Sequence, residues 1–344
     1  MKILQPLRVL LAGGSGQVGT LLTQHFVEAG HQVVILTRGR SNGLHGARSV
    51  AWDGRSPGAW TEHLENTDVL INLCGRSVNC RYNKKNRKEI LESRVESTAL
   101  LGEVIAQCLR PPRLWMNAST ATIYRHSLDR DMDELTGELG GEEDDAPQEW
   151  RFSIEVAKRW EEAFFSARAP RTRKIALRSA MTMSAEGGGV FDAFLRIVRF
   201  GLGGTLGSGK QYVSWIHSAD FVSAIDFLIS NESLEGTINL ASPNPLPNNL
   251  FMRSLREASG IRVGLPAPAW MLEVGALLMG TETELLLKSR RVVPGRLLQA
   301  GFGFQFPDWG RAAKDLFIRW QGSAGQAKAE ETMLLGGENH ERAN

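Results

Sequence analysis

Arg8-Val9-Leu10-Leu11-Ala12-Gly13-Gly14-Ser15-Gly16-Gln17-Val18-Gly19 is the stretch that decides the fold. Its first five residues make a short, nearly all-apolar run, as a strand buried on both faces requires. Glycines follow at 13, 16 and 19, a GxxGxxG spacing. Apolar residues then recur at helical intervals from Gln17 to Ala29 (Val18, Leu21, Leu22, Phe26), and Gly30 ends that helix. Gln32–Thr37 reads as a second strand. Strand, tight glycine turn, helix and strand in this order make a βαβ unit.

Outward from this unit the alternation continues. Val50–Trp52 and Asp68–Leu73 read as strands. Lys85–Leu109 is a long helix closed by Pro111-Pro112, and Leu114–Ser119 is a fifth strand. A helix at Trp150–Ala167 and a strand at Lys174–Ser179 resume the pattern. The fold class is therefore α/β, a Rossmann-type doubly wound parallel sheet whose strand carboxyl ends share one ligand-binding edge. Residues 1–186 form this nucleotide-binding domain. Residues 187–320 are richer in Pro and Gly and less regular; they read as a smaller C-terminal substrate lobe, with some segments returning to the sheet. The stretch 126–148 is dense in Asp and Glu with little to enter a core, and reads as a surface excursion, either a lid or a solvated loop. Residues 321–344 lack aromatics and read as a disordered tail.

The chain has 344 residues, 42% of them hydrophobic and 23% charged, which excludes global disorder. Its charge sum of +2 gives no general attraction for nucleic acid. Three cysteines, Cys74, Cys80 and Cys108, form no CxxC pair, so neither a disulfide framework nor a zinc site is expected. No apolar run is long enough to span a bilayer, and no leader-like segment precedes Arg8; a cytoplasmic location is expected. The oligomeric state stays open between monomer and homodimer.

The glycine loop carries the strongest chemical signal. A diphosphate needs backbone N–H groups aimed at it, no Cβ in the way, and the positive end of a helix dipole. Gly13 suits the tight turn, Gly16 the close approach and Gly19 the packing of helix on sheet, with Gly14, Ser15, Gln17 and Val18 completing the cradle. At the end of the second strand a carboxylate would hold a ribose 2′-hydroxyl. Here Thr37-Arg38-Gly39-Arg40 stands instead, with no acid before Asp53. A guanidinium and a hydroxyl suit a 2′-phosphate, so the loop favours NADP(H) over NAD; the alternative is that Arg38 and Arg40 are solvated loop charges.

With these residues in view, the chain resembles the extended, atypical short-chain dehydrogenase/reductases, and within them the NADP-binding "epimerase family protein" group, also labelled cell-division inhibitor in bacteria. Further matching stretches are Asn72-Leu73-Cys74-Gly75, Ser93-Arg94-Val95-Glu96-Ser97-Thr98, Gly201-Leu202-Gly203-Gly204, Gly207-Ser208-Gly209-Lys210-Gln211, Trp215-Ile216-His217, Asn239-Leu240-Ala241-Ser242-Pro243-Asn244-Pro245, Val292-Val293-Pro294 and Gly301-Phe302. The resemblance implies that Leu73, Cys74 and Gly75 pass under the adenosine, and that Glu89 and Arg94 on the long helix are cofactor neighbours. It places Asp53 near the adenine amino group.

Reductases of this superfamily usually carry a Tyr-x-x-x-Lys dyad. Four residues after Tyr82, Tyr124 and Tyr212 stand Asn86, Leu128 and Ile216, so the dyad is missing. In the helix where it belongs, Lys158 lies near the expected lysine, with Ile154 four before it. Ser119-Thr120-Ala121-Thr122-Ile123-Tyr124 resembles the superfamily's segment after the fifth strand. That resemblance puts Thr120 at the catalytic hydroxyl position and leaves Tyr124 as a substitute acid or an aromatic wall. The implied function is an NADP(H)-dependent oxidoreductase or epimerase acting on a small molecule; the alternative is an NADPH-binding regulator or scaffold without turnover. The basic cluster Arg81, Lys84, Lys85, Arg87 and Lys88 either greets an anionic substrate or is a solvated helix face. His217 and Asp220 lack a third metal ligand and read as structural.

Overall fold

The computed structural model describes residues 5–39, 44–143, 147–279 and 282–322. Arg40 and most of the tail-like segment lie outside them, although 321–322 close a helix over 309–322. Seven parallel strands form the main sheet: β1 (Arg8–Ala12), β2 (Gln32–Thr37), β3 (Arg48–Ala51), β4 (Val69–Asn72), β5 (Leu114–Thr120), β6 (Arg173–Ser179) and, after three short strands, β10 (Gly236–Leu240). Their order is β10-β6-β5-β4-β1-β2-β3. The chain runs outward from β1 through β2 to β3, then returns to the other side of β1 at β4. A crevice opens at that reversal, where ligands of such sheets bind.

Period-two alternation sends successive side chains of each strand to opposite faces. Val9, Leu11, Val33, Ile35, Ile71 and Met116 pack against helices α1 (Gln17–Glu28) and α5 (Ser218–Ser230). Leu10, Ala12, Leu36, Leu70, Trp115 and Ala176 face the other layer, whose helices are α2 (Lys84–Gln107) and α3 (Arg151–Ser166). Both layers are dry, so the edge of the sheet is the place left for a polar ligand. Asn72, Asn117 and Thr98 are buried near this edge and satisfy one another: Asn72 Nδ2 donates to Asn117 Oδ1 at 2.7 Å and to Thr98 Oγ1 at 3.0 Å.

A second core forms the smaller lobe. It draws on α4 (Val190–Ile197), α6 (Asn248–Ser259), the helix over 309–322, and the small strands β7 (Met181–Met183), β8 (Tyr212–Val213), β9 (Trp215–His217) and β11 (Leu246–Pro247). Phe191 and Trp215 lie inside it and line no cleft. α5 and β10 return to the main sheet. Helices α7 (Ala269–Met279), α8 (Glu284–Leu287) and α9 (Gly295–Gln299) complete the chain. Among the described residues no helix is long and apolar enough to cross a membrane.

The acidic stretch departs from its sequence reading. Met132 is fully buried, and its backbone bridges Val292. Glu134 accepts the Asn239 N–H at 2.8 Å and the Arg296 N–H at 3.2 Å. Its described part, 126–143, is a strap tied to Val292, β10 and α9, because Glu134 accepts backbone amides that burial would otherwise leave unpaired; 144–146 lie outside the described residues. His217 is structural as expected: its Nδ1 accepts the Ala219 N–H and caps α5, while Asp220 accepts the N–H groups of Gln305 and Phe306.

Candidate functional site

The glycine loop sits at the sheet's reversal point. Gly13 has φ +76°, and a Cβ there would meet Cys74 Sγ at 2.9 Å, so only glycine fits between β1 and the β4 loop. Gly19 packs against the Gly14 backbone. Gly16 begins α1 with φ −84° and no heavy atom within 4 Å of its would-be Cβ. Among the described residues no side-chain cap bonds the start of α1, so its first amides are left for a ligand. That space is a cradle for an anion.

The cradle continues into a groove of about 730 Å³. Of the sequence-chosen residues, Gly13, Ser15, Gly16, Thr37, Arg38, Leu73, Cys74, Gly75 and Glu89 line it. Gly14, Gln17, Val18 and Gly19 shape the loop from behind. Arg38 is exposed at the groove's far end and makes no ion pair among the described residues. Cys74 lies deep enough that burial raises its thiol pKa to about 12, with Arg38 opposing the rise. Asp53 is on the rim, but its carboxylate already accepts Ser56 Oγ at 2.6 Å and the N–H groups of Arg55 and Ser56; these bonds hold it at about 2. Glu89 is paired with Arg76, a lining residue that the sequence reading missed.

Arg94 does not line the groove. It is turned beneath Gly75, donating to the carbonyls of Arg76 at 3.1 Å and Ile90 at 3.0 Å, with Trp160 under its guanidinium. Burial lowers its pKa to about 10. It props the 73–76 loop from inside.

Tyr124 also departs from its assignment. It is buried, its hydroxyl donating to Asn239 Oδ1 at 3.0 Å and accepting from Arg178 Nη1 at 2.9 Å. Arg178 in turn forks onto Glu161, which accepts Ser119 Oγ. The turn Ala121–Ile123 carries the ring inward, so Tyr124 serves a closed network and burial raises its pKa. Thr120 ends β5 half-buried, its Oγ1 accepting the Thr122 N–H at 3.1 Å and keeping its own proton to donate. Lys158 faces a shallow surface beside Leu139 and Glu162, away from the groove.

A second cavity, of about 630 Å³, lies between the β4–α2 loop, the 147–150 turn and helices α7 and α8. Tyr82 lines it, with Trp150 and Trp270 as aromatic walls. Glu149, Glu273, Glu282 and Glu284 face Arg81 alone among its charged lining, and Arg81 pairs with Glu282. The basic residues Lys84, Lys85, Arg87 and Lys88 are absent from the lining and exposed, as the solvated-face reading of that cluster has them. A hydrogen-bonded chain links the walls of the two cavities: Arg76 Nη2 donates to Asn86 Oδ1 at 2.9 Å, and Asn86 Nδ2 donates to the Arg81 carbonyl.

Beneath this cavity α8 brings in a buried polar group with no sequence motif to announce it. Ser153 Oγ donates to Glu284 Oε2 at 2.5 Å. Arg290 donates through Nε to Thr122 Oγ1 at 3.1 Å, and Lys288 Nζ donates to the Thr122 carbonyl at 2.9 Å. Burial lowers the Lys288 pKa to about 7, and Arg290 adds to the effect.

Comparison with known proteins agrees with this geometry. Residues 9–241 match the NAD dependent epimerase/dehydratase family, and 267–316 match a domain of unknown function. The human epimerase family protein SDR39U1 is 31% identical over 315 residues, covering 90% of this chain and 99% of that protein. An epimerase family protein of Staphylococcus aureus is 29% identical, covering 89% and 98%. The crystal structure of human SDR39U1 (isoform 2) with NADPH superposes with a TM-score of 0.77 at 29% identity, covering 91% of this chain and 99% of that one.

Proposed function

Because the chain belongs to the NAD dependent epimerase/dehydratase family, we propose that it binds NADP(H) in the 730 Å³ groove and uses it to reduce or epimerise a small molecule in the adjoining cavity. One observation carries the reading: uncapped amides of α1 and the open face of Gly16 lead directly to an exposed arginine lacking an ionic partner among the described residues. The amides and helix dipole hold the diphosphate, and Arg38 with Thr37 holds the 2′-phosphate. Leu73, Cys74 and Gly75 give the adenosine a floor without bulk. Glu89 and Arg76 neutralise each other on the groove wall. The bound coenzyme supplies hydride chemistry; the chain's residues orient it, exclude water and handle the proton.

The second cavity's carboxylates and tryptophans support an uncharged or cationic substrate with an apolar face rather than an anionic one. To Thr120, at the end of β5, we assign the hydroxyl that donates to a substrate oxygen. The missing Tyr-x-x-x-Lys favours a second reading, an NADPH-binding regulator without turnover. Incubation with NADPH and neutral, cationic and anionic aldehydes and ketones, followed by nicotinamide absorbance, separates the two. Consumption with neutral or cationic members is expected; tight NADPH binding with no consumption across the panel supports the regulator.

A further inference from the structure

We propose that Tyr82 is the proton donor of this site, held by Ser153, Glu284 and Arg290, so that a tyrosine on the β4–α2 loop and an arginine beyond α8 do what the missing dyad does elsewhere. The proposal rests on the coenzyme reading above.

Tyr82 lines the second cavity, and the carbonyl of its neighbour Arg81 accepts from Asn86, which in turn accepts from Arg76 on the groove wall. Its backbone N–H donates to Glu282 Oε1 at 2.8 Å, and its carbonyl accepts Arg87 Nε at 2.8 Å, so both sides of the peptide are fixed. Its ring packs edge-on against Phe152 at 5.1 Å. Phe152 is followed by Ser153, which donates to Glu284, and Glu284 shares the cavity wall with Tyr82.

The support beneath it is unfinished. Glu284 is 5% exposed and lines the cleft, yet among the described residues its Oε1 accepts no hydrogen bond. Arg290 Nη2, 3.7 Å away, also lacks a hydrogen-bond partner among them. Two opposed charges, buried and left short of contact, are costly unless something else engages them. A phenolate on Tyr82 does so: it draws the Arg290 charge, and the Ser153 hydroxyl, now donating to Glu284, can turn to donate to it. Arg290 is fixed for this through Thr122, two residues beyond Thr120 at the end of β5.

The step balances for a carbonyl substrate. The carbonyl carbon accepts a hydride from the reduced nicotinamide and its C=O π bond becomes an alkoxide. The Tyr82 O–H bond breaks, its proton forms the alcohol O–H, and the phenolate is reprotonated from water in the open cleft. Tyr82 is the catalytic residue; Ser153, Glu284 and Arg290 are positioning residues. Burial raises the Tyr82 pKa first and most; Ser153 and Arg290 oppose the rise, and Glu284 and Cys80 add to it.

The test needs no substrate. NMR of protein carrying isotope-labelled tyrosine follows each phenol through its titration, and Tyr82→Phe identifies the Tyr82 signal. Oxidised nicotinamide carries a positive charge that the reduced ring lacks. With NADP+ bound, Tyr82 should therefore titrate about one pH unit lower than with NADPH, roughly tenfold in its ionisation constant, while the buried Tyr124 stays put. Ser153→Ala should raise the Tyr82 titration in both complexes without changing NADPH affinity. Identical Tyr82 titrations in the two complexes would overturn the proposal. Failure of either coenzyme to bind by calorimetry would instead overturn the coenzyme reading.

Discussion

Two alanine substitutions three residues apart should both weaken NADPH binding, but only one should lower Tm. At Gly16 the backbone is at φ −84° and ψ 173°, a region open to any residue, and a Cβ meets nothing within 4 Å. Replacing an N-cap glycine by alanine costs up to about 1 kcal/mol, and the stiffer unfolded chain returns about 0.4–1 kcal/mol. The net change lies within about 0.5 kcal/mol, so Tm should move by no more than about 2 °C. The new methyl occupies the space proposed for the diphosphate. Displacing that group from two amides removes two charge-assisted hydrogen bonds, about 3 kcal/mol together and roughly 100-fold in affinity. At Gly19 the added Cβ would sit 2.5 Å from the Gly14 carbonyl carbon and Cα, which are backbone and cannot step aside. Gly19→Ala should lower Tm as well as affinity, with overpacking costing about 1–3 kcal/mol. Differential scanning fluorimetry reads the first quantity and an NADPH fluorescence titration the second. Gly16→Ala binding NADPH as wild type does would refute the placement of the diphosphate over α1.

Other expectations follow from the buried charges. Lys288 titrates near pH 7 in the fold and near 10.5 unfolded, so the unfolded chain binds the extra proton between those values and stability should climb with pH across them. Lys288→Met should flatten that climb in urea midpoints measured from pH 7 upward and raise stability at pH 7, the removed penalty being on the order of a few kcal/mol. Glu161→Ala strands the buried Arg178 guanidinium and should cost about 3–5 kcal/mol by chemical denaturation, more than Glu155→Ala on the exposed face of the same helix. His217, pushed down to about 4 by burial against the weaker pull of Asp315, should stay neutral by NMR until well below pH 6; stability should fall as pH drops from 6.5 toward 4, where only the unfolded ring gains a proton.

What could be read from the chain was what is local. The strand–glycine–helix order, the two-faced apolar strands and the spacing of Gly13, Gly16 and Gly19 are set by neighbours in sequence, and element boundaries through β6 lie within two residues of the reading. The groove's far wall was legible for the same reason, since Thr37-Arg38 and Leu73-Cys74-Gly75 simply end their strands. Tyr82 was hidden because its meaning comes from Ser153 on α3 and Glu284 on α8, which only the tertiary fold brings to it. Tyr124 misled because a three-residue turn after β5 rotates its ring inward onto Arg178 and Asn239. Arg94 followed a matching motif, yet helix register directs it under Gly75. The acidic stretch looked solvated by composition, but Glu134 spends its charge on buried amides of β10 and α9.

The most direct measurement is a calorimetric titration of the wild-type chain and Arg38→Ala with NADPH and NADH. Wild type should prefer NADPH by about tenfold or more, and Arg38→Ala should lose about 2 kcal/mol toward NADPH with little change toward NADH. Equal losses for both coenzymes, or no heat from either with the wild-type protein, would contradict a groove built to hold the extra phosphate.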